Sequence, residues 1–325
     1  LADGGRLLVS ADRLARGVTV LEAATGEVLE TRRLGRASLL NEVACDRDST
    51  WCFVAHMVAH DEEVTTQIDR GWINSNGLSA VDLGRPGHRV PLLLDTLLRG
   101  AANPWGVALD PEGRWVFVTL AGVHELAIVD RPATMKIIAS TKPTDLELRE
   151  EDVQLLERTG FARRVATGGN GPRGVAFSSA LQRVVVGNYF SEDLSLIDPV
   201  SGEVDAIIPL GTRHEVTTWR RGEQYFSDAT FCHQSWYSCA SCHQEDASMD
   251  GLSWDLTNDG RGNPKNAKSL RDAADTPPSM WSGVRARADD ALMGGMRFQG
   301  FLPEPEFLEP VREFVFHPRR MPNPH

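Results

Sequence analysis

Cys239-Ala240-Ser241-Cys242-His243 is the stretch of this chain whose residue types and spacing carry the most chemistry. Two thiols three positions apart, followed directly by an imidazole, form the C-x-x-C-H pattern at which a c-type haem is attached. Each thiol can form a thioether to one porphyrin vinyl group, and the histidine is placed to ligate the iron. Zinc would require a second ligand pair, yet no cysteine follows Cys242 and no histidine lies between His243 and His317. A thioredoxin-like redox pair would follow a strand of a βαβ unit, and that pattern is missing around Cys239.

The other side of the iron is less determined. Methionine is a common partner to histidine in cytochromes and raises the potential. Met249, Met280, Met293 and Met296 all lie downstream, and Ala291–Met296 can form a helix returning over the distal face. Met296 or Met293 is therefore the expected distal ligand. The alternatives are an open or water-occupied position, with the methionines as core filler. His317 precedes Pro318 and can simply end the last helix, and His325 stands outside the pattern. Cys232-His233 is no attachment site: Cys232 reads as a buried thiol or one paired outside this chain, and His233 as a packing or surface residue.

These residues need elements to position them. The chain has 325 residues, 41% of them hydrophobic, which is enough for two domains with real cores. Net charge is −11, which argues against a nucleic-acid partner and a polybasic membrane anchor. No run approaches the ~18 apolar residues of a membrane-spanning helix. No leader is visible at Leu1, and a strand-like pattern begins almost at once, at Arg6–Ser10, so further sequence upstream is expected. Haem attachment of this type happens outside the cytoplasm, which makes the expected compartment periplasmic or otherwise extracytoplasmic.

Three stretches overlay without gaps: Glu42–Val54, Gly106–Val118 and Gly174–Val186. Each reads as strand, polar turn, strand. Apolar strands ending in aspartate follow at Leu78–Asp82, Leu126–Asp130 and Leu194–Asp198, and the N-terminus repeats the later part of the unit. A β-rich repeat of about forty residues marks a propeller blade. At least four blades are expected, at 1–35, 40–92, 103–141 and 171–210. The overlay puts Cys45 and Cys52 on facing arms of one hairpin, close enough for a disulfide; two buried free thiols are the alternative. An acidic helical insertion is expected near 143–160, between the third and fourth blades, with Thr144 or Asp145 as its cap. His56 and His60, beside Asp61 and Glu62, could suggest a metal site but are read as solvated residues of a loop between strands.

The blades resemble the YVTN-type propeller family, in Pro104-Trp105-Gly106-Val107-Ala108 and Pro172-Arg173-Gly174-Val175-Ala176. Four blades is the low limit of propellers, and the resemblance implies more. Beyond Leu210 the β repeats stop. Arg221-Gly222-Glu223 with Phe226 resembles the helix that leads into the haem motif of c-type cytochromes. That likeness implies that Phe226, thirteen residues before Cys239, packs on the porphyrin edge. The run Asp250–Gly283 resembles the first haem domain of the bacterial di-haem cytochrome c peroxidase and MauG superfamily. It implies an electron path through Trp281, between this haem and a second one. Two departures stand out: this chain has one C-x-x-C-H, and Asn258 and Asp259 occupy the region where the family often has a distal histidine.

The expected architecture is thus multidomain: an all-β propeller at 1–212 followed by a mostly α c-type cytochrome domain at 213–325, with one covalent haem c. The expected function is an extracytoplasmic redox protein of peroxidase or MauG type, whose partner is another haem domain or a redox protein. The alternative is a non-catalytic electron-transfer or docking subunit of a larger assembly, with a six-coordinate haem. A third reading makes the propeller axis itself the working site, although no catalytic constellation stands out among the blades.

Overall fold

A computed structural model describes residues 1–61, 73–211, 215–255 and 264–318. Its chain divides into two compact units, Leu1–Ala59 with Asn74–Arg213, and His60–Ile73 with His214–His325.

The first unit is built from four consecutive antiparallel sheets, each meandering in chain order. The first has β1 (Leu7–Asp12), β2 (Gly17–Glu22) and β3 (Val28–Arg33). The second has β4 (Ala37–Cys45), β5 (Trp51–Ala59), β6 (Asn74–Asp82) and β7 (Arg89–Leu93). The third has β8 (Pro104–Leu109), β9 (Trp115–Leu120), β10 (Glu125–Asp130) and β11 (Ala162–Ala166). The fourth has β12 (Pro172–Ser178), β13 (Arg183–Asn188), β14 (Asp193–Ile197) and β15 (Val204–Pro209).

One strand register recurs through three of these sheets. Val43 faces Val54, Val107 faces Val118, and Val175 faces Val186. Two residues along, the facing pairs are Cys45 with Cys52, Leu109 with Val116, and Phe177 with Val184. Alternation of small apolar residues fixes this register, because a slip by one residue would turn every buried side chain to the other face. In the second sheet the pair is a disulfide, Cys45–Cys52.

Neighbouring sheets bury their apolar faces against one another, as blades do. Phe117 of β9 stacks on Phe177 of β12, with centroids 5.9 Å apart. Polar seams run beside the apolar core. Glu42 accepts from the Val107 amide at 3.1 Å, and the Thr119 hydroxyl donates to the Arg173 carbonyl at 2.9 Å. At Gly106 an added Cβ would lie 2.1 Å from that same carbonyl, so the approach of β12 admits only glycine there.

The helical insertion lies inside the third sheet, between β10 and β11, rather than between two blades. It starts earlier than expected, with α1 (Arg131–Ser140), capped by the Asp130 carboxylate, which accepts from the Ala133 amide at 2.8 Å. A turn at Pro143–Asp145 and short helices α2 (Leu146–Arg149) and α3 (Leu155–Thr159) follow. Glu150 ties this insertion to the second sheet. Its carboxylate pairs with Arg89 at 2.7 Å and Arg36 at 3.3 Å, with only 2% of the side chain exposed.

Neither His56 nor His60 is a solvated loop residue. His56 lies within β5, and both side chains are buried. The His56 ring meets the Met57 carbonyl and the Ser79 hydroxyl, each at 2.8 Å. Burial pulls its pKa down to about 4. Glu62, which the sequence grouped with them, lies outside the described residues.

The second unit is mostly helical: α4 (Thr218–Ser227), α5 (Cys239–Cys242), α6 (Gln244–Ala247), α7 (Ala288–Phe298) and α8 (Pro305–Phe316). Strands β16 (Ser253–Trp254) and β17 (Lys265–Asn266) form a small antiparallel pair. Thr217 caps α4 by accepting from the Arg220 amide at 3.2 Å. Helices α4 and α8 pack so closely that a Cβ on Gly222 would sit 1.9 Å from the Pro310 carbonyl oxygen. Trp219 and Phe226 of α4 both stand 5.1 Å from the Phe314 ring of α8.

Candidate cofactor pocket in the helical unit

Helix α5 is a single turn. The Ser241 hydroxyl accepts from the Ser238 amide at 2.9 Å, and the His243 amide donates to the Cys239 carbonyl at 2.9 Å. Positions three apart in a helix share a face, so the turn presents both thiols together and delivers His243 immediately after them. Cys239 is buried, and Cys242 is half-buried. Burial pushes the Cys239 thiol up to about 11, partly offset by the Gln299 amide, which donates to its sulfur at 3.4 Å.

His243 is held neutral. Burial of its ring lowers its pKa, against the opposing pull of the Ser248 and Lys268 backbone. Its Nδ1 is buried without a hydrogen-bond partner.

The missing surroundings are a cavity of about 200 Å³. Cys239 and His243 line it together with Phe226, Leu270, Leu292 and Met296. These come from α4, α5, the segment after β17, and α7. Met296 is 1% exposed and Phe226 2% exposed. At Gly295, which also lines the cavity, an added Cβ would meet nothing within 4 Å. The donor set fits a covalently attached haem: two thiols on one face, an imidazole directly after them, a largely apolar cavity and a thioether. It fits a metal ion alone poorly, since among the described residues no group of three or more His, Cys, Asp or Glu converges.

Other candidates fall elsewhere. Met293 lines a separate cleft of about 270 Å³ with Arg285 and Arg297. Met280 lines the cofactor cavity but is 52% exposed, and Met249 is exposed away from it. Trp281 is also exposed and does not line the cavity. Its indole N–H donates to the Asn266 carbonyl at 3.0 Å, and the Lys268 ammonium sits 4.5 Å from its ring centroid. Cys232 is buried, and its thiol meets the Gln299 amide oxygen at 3.7 Å. The His233 amide donates to the Gln299 carbonyl at 2.9 Å. His317 follows α8, with its ring 3.1 Å from Glu313. Asn258, Asp259 and His325 lie outside the described residues. Sequence reasoning passed over Gln299, Lys268 and Arg271, all of which line the cavity.

No family model matches the chain. It is 27% identical over 198 residues to hydrazine synthase subunit beta of Kuenenia stuttgartiensis, covering 60% of this chain and 51% of that subunit. It is 36% identical over 101 residues to hydrazine synthase subunit gamma of the same organism, covering 29% of this chain and 28% of that subunit. A solved structure of Kuenenia stuttgartiensis hydrazine synthase superposes with a TM-score of 0.53 at 25% identity, over 59% of this chain and 54% of the other. The chain thus spans about half the length of the beta subunit that it matches.

Proposed function

We propose that the chain is a haem-bearing electron-transfer subunit of a multi-subunit assembly of the hydrazine synthase kind. The observation that carries this is the pair of partial similarities to two different subunits of one enzyme. The first structural unit holds about as many residues as the beta match, and the second is long enough to hold the gamma match. In this reading the propeller-like sheets are a docking scaffold for partner subunits, and the helical unit carries the redox centre outside the cytoplasm.

The cofactor is one haem c, joined through Cys239 and Cys242, and it supplies one-electron chemistry when bound. His243 is the proximal ligand. Phe226, buried in the lining, would pack on the porphyrin edge. Met296 would supply the second protein ligand, in preference to Met293, because it lines the same cavity as His243 whereas Met293 lines another. Such a His/Met pair would leave the iron no open position for substrate, which is why a carrier is proposed rather than a peroxidase.

Expression with a c-haem maturation system tests the pocket. The expected product is a denaturation-resistant haem with a low-spin reduced spectrum, lost in C239A/C242A and turned high-spin in M296A. A chain that emerges without covalent haem would overturn the cofactor. Native mass spectrometry of the protein from its source organism tests the assembly, and a monomer free of partner subunits would overturn that part.

A further inference from the structure

We infer that Lys268 and Arg271 form the clamp for the anionic edge of the cofactor, holding the two carboxylates of the porphyrin. The inference rests on the haem reading of that pocket.

Among the described residues, the charged side chains lining the cavity apart from His243 are these two, and no carboxylate is among them. The rest of the lining is apolar or neutral. Two cations among the lining of a largely apolar cavity, in a chain of net charge −11, match an amphipathic dianion. Their placement is built rather than incidental. The segment is pinned on either side of Lys268: the Ala267 amide donates to the Leu252 carbonyl at 3.0 Å, and the Leu270 amide donates to the Ala247 carbonyl at 2.8 Å. The Lys268 ammonium lies over the Trp281 ring, a cation–π contact that narrows the range of its long side chain. Trp281 is fixed in turn by its bond to Asn266. Trp281 is therefore a positioning residue for Lys268.

A cation beside a carboxylate offsets negative charge near the iron and so favours the reduced state. The test is the midpoint potential of the full haem-loaded chain, with haem content measured in parallel. K268Q and R271Q should each keep covalent haem and lower the potential, and the double variant should lower it further. K268R should retain the wild-type value, and W281L should fall part of the way towards K268Q. K265Q, three residues upstream and outside the cavity lining, is the control. Potentials of K268Q and R271Q equal to that of K265Q, at full haem content, would overturn the clamp and leave the haem reading standing. A wild-type chain without haem would overturn both.

Discussion

The side-chain amide of Gln299 donates to the sulfur of Cys239 at 3.4 Å. The sulfur is otherwise buried, and its pKa is pushed up to about 11. Reactivity belongs to the thiolate, so without cofactor this thiol is nearly inert. At pH 8, iodoacetamide should label Cys239 at least about a hundredfold more slowly than a free thiol. Q299L, which removes the side-chain donor to this sulfur, should slow it further. Peptide mass spectrometry over a time course reads both, and labelling of Cys239 at a free thiol's rate would contradict the burial argument.

Two glycines at the same place in the repeat should respond differently to alanine. Gly106 meets the Arg173 carbonyl where its Cβ would go, whereas Gly174 has nothing within 4 Å. G106A should destabilise the chain by about 2–3 kcal/mol through forced backbone movement. G174A should stay within about 0.5 kcal/mol of wild type. Urea midpoints distinguish them, and equal midpoints would mean that the sheets do not approach at Gly106 as described.

His56 makes stability depend on pH. Folded, it resists protonation until about pH 4, beside Arg89 and Glu150; unfolded, it takes its proton near 6.5. Between those values the unfolded state binds more protons. Stability present above pH 6.5 is thus lost as pH falls towards 4, by about 3 kcal/mol at most. Asp95 runs the other way. Burial raises its pKa from 3.8 to about 6, so its contribution is lost as pH rises through that range. Comparing wild type with H56Q cancels Asp95. Their unfolding free energies should converge as pH drops from 7 to 4.5, and a constant difference would count against a neutral buried imidazole.

Glu150 is buried between two guanidinium groups, and E150A would leave Arg89 with a buried, uncompensated charge. Breaking such a pair costs about 3–5 kcal/mol. Because Arg36 and Arg89 are partly exposed, the lower end is expected. E150Q should recover part of the loss through retained hydrogen bonds. Thermal melts decide it, and a variant melting with wild type would make the insertion an independent appendage.

Much of the β unit was legible because its code is local. Val43, Val107 and Val175 sit at equal distances from their strand partners, so period-two alternation alone aligned the repeats. The strand β11 was hidden. Its Ala162-Arg163-Arg164-Val165-Ala166 is too charged to read as a core strand, yet Arg164 pairs with buried Glu125 at 2.7 Å. Without β11, the insertion was displaced to the boundary between blades. The nine residues of β5 are nearly all buried on both faces, a condition that only tertiary packing creates, and this concealed the burial of His56. In the helical unit the Cys239–His243 motif announced itself. The two cations of the pocket lining did not, because Lys268 and Arg271 are exposed charges whose sequence spacing carries no link to His243.

The walls of the pocket come from opposite ends of their unit. Phe226 stands on α4, Val315 and Phe316 on α8, and the Trp219 indole reaches the His317 carbonyl at 2.9 Å across 98 positions. Local folding of the C-x-x-C-H turn therefore cannot enclose anything. Closure waits for a long loop to find its partner, the slow kind of contact. Both thiols therefore stay accessible until α8 has packed on α4, and the order in which these helices form decides how long the turn stands open.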